Sequence, residues 1–272
     1  SIYGLRFKGV YQYTYEYLIN MKERNNWSGE DLRNYINNEF LPSGKTAPIA
    51  IDNEGKVLMS STGEPVRQVY NFKDGSSTYK FQGGDAIYED INNDGQINSL
   101  DIVYLGNSNP KVSGGFGFNF FWGSNWSLKT SFSYRAGVKV VNSAKMGLEQ
   151  MFNAYNQSSA VNWRWRKNGD VTNIPRAMFD TGYNFLGSDR YVEDASFIRM
   201  SYIQLVYNFD KKLLKALGMR RLQLSISGQN LFCWSKYSGT DPEHSAGAWG
   251  IAYDNSQTPR SKSVTMNINV GF

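Results

Sequence analysis

Hydrophobic and polar residues alternate along three stretches in the second half of the chain, Asn125–Arg135, Arg221–Gln229 and Ser263–Phe272. A period of two places successive side chains on opposite faces of an extended chain. The pattern therefore predicts strands with one apolar face, and Gly114–Trp122 is predicted as a fourth. The predicted faces consist of Trp126, Leu128, Thr130, Phe132 and Tyr134, of Leu222, Leu224 and Ile226, and of Val264, Met266, Ile268, Val270 and Phe272.

Such alternation is typical of a half-buried soluble sheet and also of a membrane-spanning β-barrel. Three features favour the barrel: aromatic residues cluster at strand ends, short and long connections alternate, and the chain ends on Phe272 inside a strand. No apolar run reaches about 18 residues and the mean hydropathy is −0.50, so no transmembrane helix is predicted. The predicted fold class is all-β: about six strands from the C-terminal part of a large antiparallel transmembrane barrel, with long external loops.

The connection lengths predict an orientation, because barrels of this kind have short periplasmic turns and long external loops. Gly123-Ser124 and Asp210–Arg220 are predicted to be periplasmic turns. Val141–Asp194 and Trp234–Arg260 are predicted to be external loops.

The first part of the chain has a different pattern. Ile2–Tyr17 is predicted to be extended, and Leu41–Gly84 contains the Gly, Pro and Asn signals of a loop. Trp27–Phe40 is predicted to be helical, with Ser28 as its N-cap. Residues 1–112 are therefore predicted to be mostly an external loop region, and residues 113–272 to hold barrel strands and their loops.

Residues 90–101 form a candidate calcium loop of the EF-hand kind. Ca²⁺ takes six to eight oxygen ligands, which such a loop supplies from positions 1, 3, 5, 7 and 12, with a glycine at position 6. Gly95 occupies position 6, and Ile97 at position 8 is predicted to anchor the loop to a core. Position 12 is Asp where Glu is usual, and a metal-free Asn/Asp/Gly turn is the alternative. The predicted ligands are Asp90, Asn92, Asp94, Asp101 and the backbone carbonyl of Gln96.

Charge and candidate catalytic residues exclude other classes. The net charge is +5, but the basic residues are scattered among acidic ones, so no nucleic-acid partner is predicted. His244, the only histidine, lies in a Pro/Gly-rich stretch and is predicted to be a surface residue. Cys233, the only cysteine, is predicted to be structural. Asp189, Arg190, Glu193 and Asp194 are predicted to form ion pairs, so the chain is not expected to be an enzyme.

Aromatic residues on the predicted external loops are candidates for contact with a ligand or a partner. Packing within the loops is the alternative. The candidates are Trp163, Trp165, Trp249 and Tyr237.

Several stretches spaced along the whole chain resemble the SusC/RagA family of TonB-dependent outer-membrane transporters. They are the opening Tyr3–Gln12, Gly84–Asp101 with Gly106–Pro110, Ser188–Arg199, Ser227–Phe232 and Lys236–Glu243. The resemblance covers the C-terminal part of such proteins, whose barrels have about 22 strands. It implies that the plug domain and the TonB-interacting segment lie outside this chain, and the start at Ser1 suggests a fragment.

The resemblance implies a function as well as a fold. It implies import of oligosaccharides or peptides across a bacterial outer membrane, energy from TonB, a mobile plug, and a SusD-like surface lipoprotein that caps the barrel. The alternative is a soluble extracellular β domain, stabilised by Ca²⁺, that binds glycan without transport. Membrane fractionation in detergent distinguishes the two.

Overall fold

The computed structural model describes residues 1–72, 78–244 and 250–272. The chain divides into two compact units. We call residues 106–142 and 193–272, with Ser1, the sheet unit, and residues 2–105 and 143–192 the loop unit. Within the described residues, no helix is long and apolar enough to cross a membrane.

The sheet unit contains an antiparallel sheet of five strands among its described residues. Each strand pairs with the next one in sequence, so the sheet is an up-and-down meander. The alternating stretches are thus confirmed as strands, although the sheet has five strands rather than about six. The strands are β1 (Val112–Trp122), β2 (Trp126–Ala136), β3 (Phe197–Asn208), β4 (Arg221–Ser235) and β5 (Ser263–Gly271).

The register gives the sheet one continuous apolar face, because directly opposed residues in antiparallel strands share a face. Ile268 on β5 pairs with Leu224 on β4, and Leu205 on β3 pairs with Ile226 on β4 and Leu128 on β2. The opposite face carries mainly Ser, Asn, Gln, Lys and Arg. Other members of the apolar face are Phe116, Phe118, Phe120, Trp122, Trp126, Phe132, Tyr134, Ile198, Met200, Ile203, Tyr207, Leu222, Phe232, Trp234, Val264, Met266 and Val270.

A β-bulge keeps this face continuous along β3. The pairing with both neighbours shifts between Met200 and Tyr202, and Ser201 has no Cα partner. The Ser201 hydroxyl lies 3.0 Å from the hydroxyl of Ser133 on the polar face. One extra residue reverses the alternation, so Met200 before the bulge and Ile203 after it lie on the same face.

The connections of the sheet differ in length and content. Gly123-Ser124 is a tight turn, with Gly123 at φ +58°, as predicted. The predicted Asp210–Arg220 turn contains a short helix, Lys211–Ala216. Beyond the sheet, a short strand, Lys139–Val141, contributes to a small core. That core consists of Val138, Val140, Ala195, Tyr237 and Ala252.

The loop unit is not purely β. Its helix Tyr15–Asn25 is capped by Thr14, whose hydroxyl accepts a hydrogen bond from the Tyr17 amide. The prediction of an extended Ile2–Tyr17 is therefore wrong from Tyr15 onward. The predicted Trp27–Phe40 helix is present as Gly29–Tyr35, followed by a π-helix, Ile36–Phe40.

Ser28 caps that second helix as predicted. Its hydroxyl accepts a hydrogen bond from the Asp31 amide, and the Asp31 carboxylate accepts one from the Ser28 amide. The two helices bury Leu18, Leu32, Ile36 and Phe40 in one cluster.

The rest of the loop unit consists of short elements around a second cluster, which contains Leu5, Tyr11, Phe81, Ala86, Tyr88 and Ile97. Residues 1–112 are thus more ordered than the predicted loop region. The elements are the strands Ile2–Gly4, Phe7–Val10, Val69–Tyr70, Tyr79–Lys80, Ala86–Tyr88, Gln96–Ile97 and Val103–Gly106, the α-helix Ser143–Glu149, and the 3-10 helices Ser99–Asp101, Ser159–Trp163, Tyr183–Phe185 and Asp189–Tyr191. The short strand Val192–Asp194 pairs with Lys139–Val141 and belongs to the sheet unit from Glu193 onward.

Candidate functional site

The apolar face of the sheet is exposed rather than covered. On β5, Val264 is 68% exposed and Ile268 is 64% exposed. Large apolar side chains on all five strands are also accessible, including Phe118, Trp126, Ile198 and Trp234. A contiguous exposed apolar surface of this kind marks contact with a protein or a membrane.

The polar face carries a buried ionic cluster near the ends of β2 and β3. The Arg199 side chain on β3 is only 5% exposed, and its Nη2 donates a 2.5 Å hydrogen bond to Asp241 Oδ1. Arg199 Nε also lies 3.4 Å from Glu243 Oε2. The root of the β4–β5 connection is thereby held against the polar face, and we call this set of contacts the loop-root latch.

Two further arginines complete the latch. Arg260, just before β5, contacts Glu243 Oε2 through Nε at 2.8 Å, and its amide donates to Asp241 Oδ2. Arg135 on β2 lies 3.8 Å from Glu243. Burial acts to raise the pKa of Asp241, but hydrogen bonds from the Glu243 and Arg260 amides, with the charge of Arg199, hold that pKa below its usual value.

His244 follows the latch and is buried, at 5% exposure, so the prediction of a surface histidine is wrong. Its ring meets Tyr237 edge to face, and its Nε2 lies 3.5 Å from Asp254 Oδ2. The Tyr237 hydroxyl donates a 2.5 Å hydrogen bond to the same oxygen. Burial, reinforced by this hydrogen bond, raises the pKa of Tyr237. Tyr237 belongs to the small core of the sheet unit, and His244 and Asp254 pack against it.

The predicted calcium loop folds around its first and last carboxylates. Asp90 accepts hydrogen bonds from the amides of Asp94, at 3.2 Å, and Gly95, at 2.8 Å. Asp101 is fully buried and accepts 2.8 Å hydrogen bonds from the amides of Ile91 and Asn98. Gly95 has φ +81°, a conformation that favours glycine. The loop therefore closes on itself through its own side chains.

The core anchors this loop as the sequence predicts. Ile97 is 1% exposed and belongs to the second cluster of the loop unit. The strand Gln96–Ile97 also pairs in parallel with Val69–Tyr70. The backbone at loop positions 7 and 8 is consequently held by two contacts, the core cluster and the neighbouring strand.

The electrostatics of the loop fit a cation. Burial raises the pKa of Asp90, despite the hydrogen bond from Gly95, and the negative charges of Asp101 and Asp94 raise it further. The part of the chain that the structure describes contains no group of three or more His, Cys, Asp or Glu side chains already disposed to hold a metal, and calcium binding by Asp90, Asn92, Asp94, Gln96 and Asp101 stays a prediction.

The four candidate aromatics differ in their surroundings. Trp163 is 79% exposed and available for contact. Trp165 donates a hydrogen bond from Nε1 to the Gln12 carbonyl and covers Gly84, where a Cβ atom would overlap its ring. Tyr237 lies in the core described above, so neither it nor Trp165 forms an open stacking platform. Trp249 lies outside the described residues.

Each member of the predicted charged group contacts a structural partner. Arg190 pairs with buried Glu149 at 2.9 Å in the loop unit, and Asp189 accepts a hydrogen bond from the Phe7 amide. In the sheet unit, Glu193 accepts hydrogen bonds from Ser238, and Asp194 lies 3.8 Å from Lys139. Cys233 is an exposed free thiol on the polar face, opposite Arg199.

One buried polar network was not predicted. Asp85 is fully buried and accepts hydrogen bonds from Tyr79, from Arg176 Nε at 2.6 Å and from the Gln82 amide. Asn184 joins the network through the Arg176 carbonyl. The only sequence signal is Asp85 beside the glycines at 83 and 84, since its partners lie up to 99 residues away in sequence.

Comparisons with known proteins agree with the observed fold. No protein-family model matches the chain. The chain is 25% identical over 231 residues to TonB-dependent receptor P3 of Formosa agariphila and 30% identical over 195 residues to TonB-dependent receptor P26 of the same organism. The alignments cover 80% and 70% of this chain but 22% and 20% of those proteins. The chain therefore spans about a fifth of the length of the curated relatives it matches.

Solved structures give the same picture. The RagAB peptide transporter matches with a TM-score of 0.58 at 19% identity, over 75% of this chain and 24% of that one. The RagAB peptide importer in its "closed-closed" state matches with a TM-score of 0.56 at 18% identity, over 100% of this chain and 23% of that one. At these identities the likeness concerns the fold.

The solved structures described above are named as a peptide transporter and a peptide importer, and the three curated relatives are named TonB-dependent receptors. That is the class to which the sheet and its loops correspond. Taken with the RagAB likeness in fold, the matches support the resemblance of this sequence to part of a SusC/RagA-type chain.

Proposed function

We propose that this chain forms part of the wall of an outer-membrane β-barrel that imports nutrients with energy from TonB. The observation that carries the proposal is the exposed apolar face, which runs without interruption across β1 to β5. In a barrel wall this face contacts lipid and the polar face lines the lumen. The named TonB-dependent receptors and the RagAB transporters support this assignment.

The two edges of the sheet support a larger barrel. β1 and β5 each pair with one neighbour only within the described residues. Unpaired backbone groups in hydrocarbon are unfavourable by several kcal/mol each. Further strands of the same barrel, about 22 in total by resemblance, would pair both edges and enclose the plug.

The orientation follows from the connections. The tight turn at Gly123-Ser124 would lie on the periplasmic side, because periplasmic turns are short. The loop-root latch lies near the other ends of the strands, on the external side. It would hold the β4–β5 connection against the luminal wall at the entrance of the barrel.

The partner and the cargo come from the resemblance. A SusD-like surface lipoprotein would cap the entrance, and the TonB complex would act through the rest of the protein. The matched structures are described as a peptide transporter and a peptide importer, which supports peptides as cargo; oligosaccharides are the second candidate cargo.

The exposed aromatics of residues 143–192 supply a test of the partner. Trp163 is 79% exposed and Phe179 is 80% exposed. We expect Trp163→Ala with Phe179→Ala to reduce co-purification of the lipoprotein with the full transporter. Val171→Ala, at an equally exposed apolar position in the same segment, is the matched control. Full lipoprotein stoichiometry in the double variant would show that these aromatics are not its binding site.

Calcium at residues 90–101 is part of the proposal. Asp90, Asn92, Asp94, Asp101 and the Gln96 carbonyl would hold Ca²⁺ by oxygen coordination. The ion would neutralise the clustered carboxylates and fix the loop on the core through Ile97.

Membrane fractionation of the full-length protein tests the central proposal. We expect the protein to remain with outer membranes after high-salt and carbonate washes, to require detergent for release, and to migrate differently before and after boiling. Release without detergent would contradict the barrel and support the soluble, calcium-stabilised glycan-binding domain.

A further inference from the structure

A groove of about 630 Å³ lies at the end of the sheet opposite the Gly123-Ser124 turn. Its floor consists of Tyr134, Ile198 and Trp234, which are direct cross-strand neighbours on the apolar face of β2, β3 and β4. Ile198 and Trp234 are about half exposed. The groove therefore opens on the same face that carries the apolar band.

The rim of the groove is polar and carries opposite charges. Lys236, which follows β4, and Asp194, which precedes β3, both line it. Lys139 lies 3.8 Å from Asp194, and the charges of Lys139 and Lys236 contribute to lowering the pKa of Asp194, after its hydrogen bonds to Ser196. The charged residues that line the groove are Arg135, Lys236 and Asp194, so with Lys139 beside Asp194 the positive charges outnumber the negative one.

This arrangement matches an amphipathic ligand. Tyr and Trp prefer sites where one end is apolar and the other is wet, as at the boundary of a bilayer. An acyl chain would pack on Tyr134, Ile198 and Trp234, while an anionic head group would reach the lysines of the rim. A free sugar would leave the apolar floor in contact with water.

We propose that this groove binds a phosphate-bearing acyl lipid, with the phosphate at Lys236 and Lys139 and the acyl chain on the aromatic floor. The inference rests on the proposed barrel, since it places this end of the apolar face at the outer boundary of the membrane. It adds a defined lipid site to a wall that otherwise contacts lipid without selection.

Native mass spectrometry of the full transporter in mild detergent tests the inference. The probes are dioleoyl phosphatidylglycerol, whose head group is anionic, and dioleoyl phosphatidylcholine, whose head group has no net charge. We expect Lys236→Gln to weaken phosphatidylglycerol binding about fivefold, as expected for one lysine near an anionic surface, and to weaken phosphatidylcholine binding less, because the choline group balances the charge of its phosphate. Trp234→Ala should weaken both.

Two further variants make the test specific. Asp194→Asn keeps the hydrogen bond to the Ser196 amide but removes the negative charge, so it should strengthen phosphatidylglycerol binding. Lys111→Gln, one residue before β1 and outside the residues that line the groove, should have no effect. Equal loss in Lys111→Gln, or unchanged binding in Lys236→Gln and Asp194→Asn, would overturn the inference.

The outcome also separates this inference from the proposed function. If the protein needs detergent for release and shows heat-dependent migration, but its lipid affinities do not change in these variants, the proposed barrel stands and the proposed lipid site is wrong. If the protein is released without detergent, both the barrel and the lipid site are wrong.

Discussion

Arg199 is the residue on which the polar face of the sheet depends most. Its guanidinium is nearly inaccessible and contacts two carboxylates, Asp241 and Glu243. A buried ion pair adds little net stability when intact, but loss of one partner leaves an uncompensated charge in a poorly solvated place. Each member of the loop-root latch is therefore sensitive to substitution of the others.

We expect Arg199→Leu to destabilise the sheet unit by about 3–5 kcal/mol, because Asp241 and Glu243 lose their buried partner. The measurement is the temperature at which the detergent-solubilised full protein loses its folded, fast-migrating form on gels. Arg221→Leu is the control, because Arg221 is exposed. Equal losses in both variants would show that the latch has no special role.

The latch also predicts a pH dependence. The pKa of Asp241 in the folded protein lies below its usual value of 3.8, so Asp241 stabilises the folded state fully above that value. The contribution is lost as the pH falls through the lower, folded-state pKa. We expect melting temperatures of the wild type to fall more steeply below about pH 4 than those of Asp241→Asn. Parallel curves would contradict this assignment.

At the scale of elements, the bulge at Ser201 decides which side chains of β3 lie on the apolar face of the sheet. A one-residue change of register moves every side chain beyond it to the opposite face. Deletion of Ser201 would therefore move Ile203 and Leu205 to the polar face, and we expect it to abolish assembly. Ser201→Ala removes only the hydroxyl contact with Ser133 and should reduce stability by about 0.5–1.5 kcal/mol. The yield of heat-modifiable protein distinguishes the two, and normal assembly of the deletion would show that the face is not constrained.

Strand β5 gives a test of which face meets the membrane. Ile268 is near the middle of the strand on the apolar face, and Asn269 is on the polar face. Ile268→Lys should cost about 2–4 kcal/mol in a bilayer, whereas Asn269→Lys should be tolerated. Folding into vesicles, followed by urea titration, measures both. A larger effect for Asn269→Lys would reverse the assignment of the faces.

Elements with a regular period were the most predictable from the sequence. Alternation identified the stretches that became β2, β5 and the start of β4, and Ser28 identified a helix start. The helix Tyr15–Asn25 was not predicted, because its tyrosines suit strands as well as helices and tertiary packing decides between them. The bulge in β3, the burial of His244 and Tyr237, and the Asp85 network depend on partners distant in sequence.

At the scale of the whole molecule, calcium should stabilise the protein by preferential binding to the folded state. The gain is about 2.7 kcal/mol when free Ca²⁺ is at 100 times its dissociation constant. We expect a chelator to lower the melting temperature of the wild type and to have little effect on Asp101→Asn. Asp52→Asn, in an exposed turn closed by a similar side-chain hydrogen bond, is the control and should respond like the wild type. If the chelator leaves the melting temperature of the wild type unchanged, the proposal of calcium binding is wrong.

The loop unit is assembled from two separated stretches of chain, residues 2–105 and 143–192, between which β1 and β2 are inserted. During synthesis and export, the first stretch would have to wait for the second before its compact state could form. Closing such a long intervening loop slows folding, although its entropy grows only slowly with length. The β1–β2 hairpin, by contrast, pairs through one tight turn and can form early. The edge of β2 then stays unpaired until β3, Phe197–Asn208, has been made, so premature pairing of this edge with another chain is the main hazard during assembly.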